Sequence, residues 1–204
     1  PTVIACYDMP TVKAQLKLTY TIFEKGELNV KMQMTTDKNA KVSDMLRFGM
    51  VMQMPYNMDQ IRYFGRGPIE NYSDRKASER IGIYKQTADN QFFPYIRPQE
   101  NGTKQDVKWW QQTNASGTGL EIHGELGDLS MSALHYAIAD LDDGLEKGQR
   151  HSYQVKKSPF INLCIDKEQT GVGGTNSWGE WPLERYRLHY GDRTYEFSLR
   201  PIVK

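Results

Sequence analysis

Two stretches bring together residue types suited to handling a small neutral ligand. Residues 63–75 read Y-F-G-R-G-P-I-E-N-Y-S-D-R, and residues 171–182 read G-V-G-G-T-N-S-W-G-E-W-P. Each mixes Gly, Pro and Asn with aromatic residues. Polar segments of this length in a compact domain are often binding loops, although they also serve as packed crossovers between strands. Trp109, Trp110, Trp178 and Trp181, with Tyr63, Phe64 and Tyr72, supply flat apolar rings. A sugar presents C–H faces that stack on such a plane while its hydroxyls stay free to hydrogen-bond. Trp109 and Trp181 have a competing reading as core residues, and that is the expectation for both.

Other chemistries find little support. Glycoside hydrolysis uses two carboxyl groups, about 5 Å apart in retaining enzymes, and spacing along a sequence does not reveal such a pair. Glu70, Glu100, Glu125 and Glu180 lie in or beside loops, where each also reads as a solvated or loop-stabilising acid. The glycines at 171, 173 and 174 lack the Gly-Lys-Ser/Thr ending of a phosphate loop and open no helix. His123, His135, His151 and His189 stand alone, and neither Cys6 nor Cys164 has a Cys or His neighbour at metal-ligand spacing. The Gly-x-Ser-x-Gly elbow of a serine hydrolase is absent. Cys6 and Cys164 are read as two unpaired, largely buried thiols.

Lysine and arginine number 26 against 25 aspartates and glutamates. Such a balance gives no field for nucleic acid, an anionic membrane or an acidic substrate, so an uncharged partner fits best. No run approaches the ~18 apolar residues needed to cross a bilayer. Pro1 is no natural start and the opening residues read as mid-domain sequence. The chain is therefore expected to be N-terminally truncated, and its compartment, cytoplasmic or periplasmic in a bacterium, stays open.

The elements that must position the loops are strands. Val12, Ala14, Leu16, Leu18 and Tyr20 alternate with polar residues, as do Leu28, Val30, Met32 and Met34. The Lys25-Gly26-Glu27 corner between them predicts an antiparallel hairpin. Phe48, Met50, Met52 and Met54 share one face, and Ile81 with Ile83, Val107 with Trp109, and Leu120 with Ile122 mark further half-buried segments. The run 160–165 is apolar enough to be buried on both faces. Tyr186, Leu188 and Tyr190 are expected to pair with Tyr195, Phe197 and Leu199 across a turn at Gly191-Asp192. Only residues 139–147 could form a turn or two of helix, and Gly144 weakens that. Many short strands between turn residues predict one all-β domain over residues 1–204, a large antiparallel β-sandwich.

The stretch 63–75 closely resembles the small-chain domain of glycoside hydrolase family 2 β-galactosidases, whose pattern reads W/Y-x-G-x-G-P-x-E-N-Y-x-D-R. The resemblance continues through Tyr95-Ile96-Arg97-Pro98-Gln99-Glu100-Asn101-Gly102 and Asp106-Val107-Lys108-Trp109, and ends in Gly171-Val172-Gly173-Gly174-Thr175-Asn176-Ser177-Trp178. It covers nearly the whole chain. It implies a supersandwich similar to galactose mutarotases, lying at the C-terminal end of a multidomain, homo-oligomeric bacterial enzyme that cleaves terminal β-galactosides.

In that family a barrel on the same chain supplies the two catalytic glutamates, so no catalytic residue is expected here and the isolated chain is expected to be inactive. The galactoside substrate and the barrel are the implied partners, with neither nucleic acid nor membrane among them. The Trp of the D/N-S-W motif stacks on the sugar there, which assigns substrate contact to Trp178 and a polar supporting role to Asn176, where some relatives have Asp. Asn71, Tyr72, Asp74 and Arg75 are expected to organise their loop. Magnesium and sodium belong to the barrel region. A sodium contact from the backbone of a Phe-Pro pair would fall on Arg97 and Pro98, and the arginine speaks against it, so no metal ligand and no cofactor is assigned to this chain. The alternatives are a free-standing carbohydrate-binding module and a mutarotase-like epimerase, the latter needing a His and a Glu that face one sugar ring. No segment resembling R-A-P-x-D-N-D precedes Cys6, which predicts a missing strand partner and an exposed edge.

Overall fold

The computed structural model describes residues 1–142, 150–174, 176 and 179–203. Twelve strands among them form two sheets. The strands are β1 (Thr2–Met9), β2 (Ala14–Ile22), β3 (Leu28–Thr36), β4 (Arg47–Pro55), β5 (Gln60–Gly67), β6 (Arg80–Thr87), β7 (Lys104–Val107), β8 (Trp109–Thr113), β9 (Gly119–Gly124), β10 (Leu129–Leu134), β11 (Phe160–Gln169) and β12 (Arg193–Ile202). The large sheet runs β1-β2-β3-β12-β9-β8-β5-β6 and the small sheet β4-β11-β10-β7. Every pairing is antiparallel.

The predicted alternation produces this sandwich directly. Ala14 and Leu18 of β2 face inward with Val30, Met32 and Met34 of β3, and the corner between these strands forms as expected, with Lys25 and Gly26 at positive φ. Ile161, Leu163 and Ile165 of β11 meet Leu129, Met131 and Ala133 of β10 in the core. The alternate residues of β11, namely Asn162, Cys164 and Asp166, are also buried, on the face turned away from the core. That double burial meets the expectation for the run from Ile161 to Ile165, whereas Phe160 at the start of the strand is 43 % exposed.

Several local expectations fail. Residues 186–190 do not pair with β12: Glu184–Tyr186 is a short 3-10 turn and Leu188 bridges Met45. Both edges of β12 are already taken, by β3 and β9. Asp192 fixes the corner to the large sheet instead, because its carboxylate accepts from the backbone N–H and the hydroxyl of Thr36, each at 2.7 Å.

Val107 and Trp109 do not share a strand face either. The chain crosses from the small sheet to the large one at Lys108, after Asp106 at φ 57°, whose carboxylate is gripped by Arg66 Nε and Lys76 Nζ, both at 2.7 Å. The alternation restarts there, so the core tryptophan is Trp110, stacked on Tyr63 with ring centroids 5.1 Å apart. Trp109 is half-buried on the outer face beneath the Arg62 guanidinium. Trp181, also expected in the core, is 52 % exposed.

Neither cysteine is in a disulfide, as expected, and Cys164 is buried, but Cys6, also expected to be buried, is exposed. Cys6 lies on β1, the end strand of the large sheet, which pairs with β2 alone. Among the described residues α-helix is limited to α1 (Ala88–Gln91) and α2 (Ile138–Leu141). The latter overlaps the expected turn, while 143–149 lie outside the described residues. The four-residue α1 is too short for any periodicity to reveal, and it rests on Thr87, whose Oγ1 accepts from the N–H of Asn90. Among the described residues no helix is long and apolar enough to cross a membrane.

Candidate functional site

Three connections converge over the outer face of the small sheet: 68–79 after β5, 92–103 before β7, and 170–192 after β11. Glu70 joins the first two of them. Its side chain is 4 % exposed and accepts from Tyr72 Oη (3.3 Å), Arg75 Nη2 (2.6 Å), the backbone N–H of Gly102 (2.8 Å) and Tyr95 Oη. A carboxylate can be buried only when its lone pairs are answered, and here donors from two loops answer them.

The expected loop residues surround this carboxylate. Asn71 is fully buried, donates from Nδ2 to the carbonyls of Arg66 and Ile69, and accepts on Oδ1 from the N–H of Gln105. These bonds serve backbone groups that no sheet ladder reaches. Tyr72 is buried under the Arg75 guanidinium, and that burial, with Glu70 close by, holds its hydroxyl protonated far above the usual range. Asp74 reaches into the third loop and accepts from the N–H groups of Val172 (3.2 Å) and Gly173 (2.8 Å). Gly171 is required beside it, since a Cβ there would sit 2.6 Å from Asp74 Oδ2. Tyr72 and Arg75 thus share Glu70, while Asn71 ties the same segment to Gln105 and Asp74 ties it to the 170–192 loop. Asn176 lies exposed in a bend of the 170–192 loop, and Trp178 falls outside the described residues.

Beneath the loops is a cavity of about 590 Å3 whose lining includes Tyr72, Asp74 and Arg75. Arg47 of β4 lies at its floor. It donates to Glu100 Oε2 (2.9 Å) and Cys164 Sγ (3.2 Å), and lies 3.6 Å from Asp166. Burial pushes the Cys164 thiol up to about 11. Burial also pushes Asp166 up to about 7, against the pull of Arg47. Asp166 Oδ1 has no hydrogen-bond partner among the described residues; it lies over Gly49, where a Cβ would come within 2.1 Å. Lys104, buried behind the same loops, donates to the carbonyl of Gly102, and burial lowers its ammonium to about 8. Among the described residues no group of three or more His, Cys, Asp or Glu side chains is placed to hold a metal ion.

Residues 2–200 match the family described as the beta galactosidase small chain. The chain belongs to that family. It is 32 % identical over 191 residues to a β-galactosidase of Priestia megaterium, covering 93 % of this chain and 18 % of that protein. It is 29 % identical over 178 residues to β-galactosidase BgaC of Bifidobacterium adolescentis, covering 86 % and 16 %. With a β-galactosidase of Lactobacillus delbrueckii subsp. bulgaricus it shares 31 % identity over 169 residues, covering 83 % and 16 %. The chain therefore spans less than a fifth of the length of these relatives.

Within this small-chain domain the residues that organise the site most were not singled out from sequence. Glu70 stood inside the recognised motif, where it was read as either a solvated or a loop-stabilising acid, and the structure gives it the second role. Arg47 and Asp166 carried a fainter signal, as ionisable residues at the ends of apolar strand runs on the side opposite the core. Asp166 has a measurable consequence. The unfolded chain releases this proton near 4 and the folded chain near 7, so the folded state binds more protons between those values and stability falls as pH rises through that window. Asp166→Asn cannot titrate and should flatten that part of the curve. Melting temperatures of both proteins at pH 4.5 and 7.5 check this, and an unchanged difference between the two pH values would contradict it.

Proposed function

We propose that this small-chain domain completes the sugar site of a longer β-galactosidase that hydrolyses terminal non-reducing β-D-galactose residues, without supplying the catalytic glutamates. The observation that carries the reading is the cavity mouth. Leu46, Ile138 and Val172 line it and are 69, 41 and 43 % exposed, and Ile96 and Tyr153 stand nearby at 83 % each. An exposed apolar patch with a polar interior marks an interaction face, and the partner proposed for it is the catalytic barrel of the same, homo-oligomeric parent chain. The family's magnesium and sodium are assigned to that barrel. Arg97, where one sodium contact would fall, is exposed. No histidine lines the cavity, which counts against a mutarotase-like epimerase.

In this reading Asn71, Tyr72, Asp74 and Arg75 brace the loops, while Trp178, assisted by Asn176, meets the sugar. Gly171 and Gly174 let this loop pack closely, since a Cβ would come within 2.6 Å of Asp74 Oδ2 at the first and 2.2 Å of the Glu180 carbonyl oxygen at the second. Stacking on a sugar should contribute on the order of 1 kcal/mol. Trp178→Ala in the full-length enzyme is therefore expected to raise KM about fivefold to tenfold with little change in kcat, since the ring meets the ground state and transfers no proton. Kinetics and melting temperature measured together decide the matter: a large loss of stability with unchanged KM would make Trp178 a packing residue.

A further inference from the structure

The floor of the cavity carries a pattern of its own. Its charges are answered within the protein: Arg47 by Glu100 and Asp166, Arg75 by Glu70, Asp74 by two backbone N–H groups, and Asp142 by a further contact. What remains to meet a ligand is neutral. Asn162 accepts on Oδ1 from Gln53, but its Nδ2 reaches only the carbonyl of Phe160, at 3.5 Å. Gln169 receives the Thr103 hydroxyl on Oε1 at 3.5 Å, and no acceptor for its amide nitrogen is present among the described residues. Both side chains are more than nine-tenths buried and both line the cavity, as does the Ser132 hydroxyl. Uncommitted amide hydrogens at the base of a cavity are unfavourable without a partner. Above them Leu46 and Val172 provide apolar walls and Tyr95 an aromatic one.

Neutral donors on the floor, apolar and aromatic walls, no cation or carboxylate without a partner among the groups named and a volume within the range of about 300–1,000 Å3 usual for small-molecule sites all match one ligand chemistry. We propose that this cavity binds a neutral saccharide unit of the substrate other than the galactose being released, with the Asn162 and Gln169 amides donating to its hydroxyls and the walls covering its C–H face. The proposal rests on the β-galactosidase reading and makes the domain a determinant of which galactosides are preferred.

The test uses the full-length enzyme with two probes, lactose and 2-nitrophenyl β-galactoside, of which only lactose carries a sugar as leaving group. A lost hydrogen bond between neutral groups corresponds to about a threefold to tenfold effect. Asn162→Ala and Gln169→Ala are each expected to lower the ratio of kcat/KM for lactose to that for the nitrophenyl galactoside by that factor. Gln169→Ala guards against misfolding of the other variant, because Asn162 also holds Gln53 across the sheet, and melting temperatures are recorded for both. Ratios within twofold of wild type in the folded variants would overturn the proposal. A wild-type enzyme that hydrolyses neither probe would instead sink the β-galactosidase reading, and the proposal with it.

Discussion

Glu70→Ala is expected to lower the melting temperature by about 10 °C. The carboxylate accepts from donors on two loops, and deleting it leaves the Tyr72 and Tyr95 hydroxyls and the Gly102 N–H without their acceptor. The ion pair to Arg75 contributes the smaller share, since that guanidinium is 52 % exposed and solvent screens it. The buried donors dominate. Stranding them costs roughly 3–5 kcal/mol in all, and in a domain of this size each kcal/mol moves the melting temperature by about 2–4 °C. Glu70→Gln keeps two acceptor lone pairs and should lose about half as much. Thermal unfolding of the three proteins followed by circular dichroism is the measurement. A Glu70→Ala variant within 2 °C of wild type would mean that water takes over the acceptor role and that the loops do not depend on this side chain. Because Asp74 ties the same group to the 170–192 loop, the variant should also be cleaved faster by protease near residues 171–174.

Trp110→Ala should be comparably damaging, and Trp109→Ala should not. Trp110 is fully buried between the sheets, stacks on Tyr63 and donates through its indole N–H to Gln112 Oε1 at 2.8 Å. Removing a ring of that size leaves a cavity that close-packed neighbours fill only in part, at a cost of about 3–5 kcal/mol. Gln112, itself buried, also loses a donor. Trp109 lies on the outer face, where its main contacts are Phe64 and the Arg62 guanidinium 5.0 Å from its ring. A partly exposed cation–π contact is worth about 0.5–1 kcal/mol, so the loss there should be near 1 kcal/mol. Urea unfolding midpoints of the two variants give the comparison directly. Equal losses would contradict the inward and outward assignment of this strand, and with it the crossing between sheets at Lys108.

These two residues also mark how far the sequence could be read. Alternation over β2, β3 and β4 was legible because adjacent side chains in an extended chain point to opposite faces, so burial leaves its period on neighbouring positions. The all-β sandwich followed from that, and family membership followed from three motifs in order. At 107–110 the same rule failed. Asp106 takes a left-handed backbone conformation held by Arg66 and Lys76 from another part of the chain, and nothing in the tetrapeptide itself announces that the alternation restarts.

The partner of a strand is similarly a long-range matter. Residues 186–190 had the alternation of a strand and a turn beside them, yet β12 exchanged its hydrogen bonds with β3 and β9, more than a hundred and about seventy positions away. The site divides along the same line. Composition favoured an uncharged partner, and the motifs pointed to the loops that converge, because residue types and local patterns are properties of the chain itself. The tertiary structure decided that Glu70 is a buried acceptor for two loops, that Asp166 keeps its proton to about pH 7 and that Asn162 and Gln169 turn uncommitted amides into a cavity. Burial and unmet hydrogen bonds depend on what folds over a residue, and the bonds that tie these loops together join residues 25 to 99 positions apart in sequence.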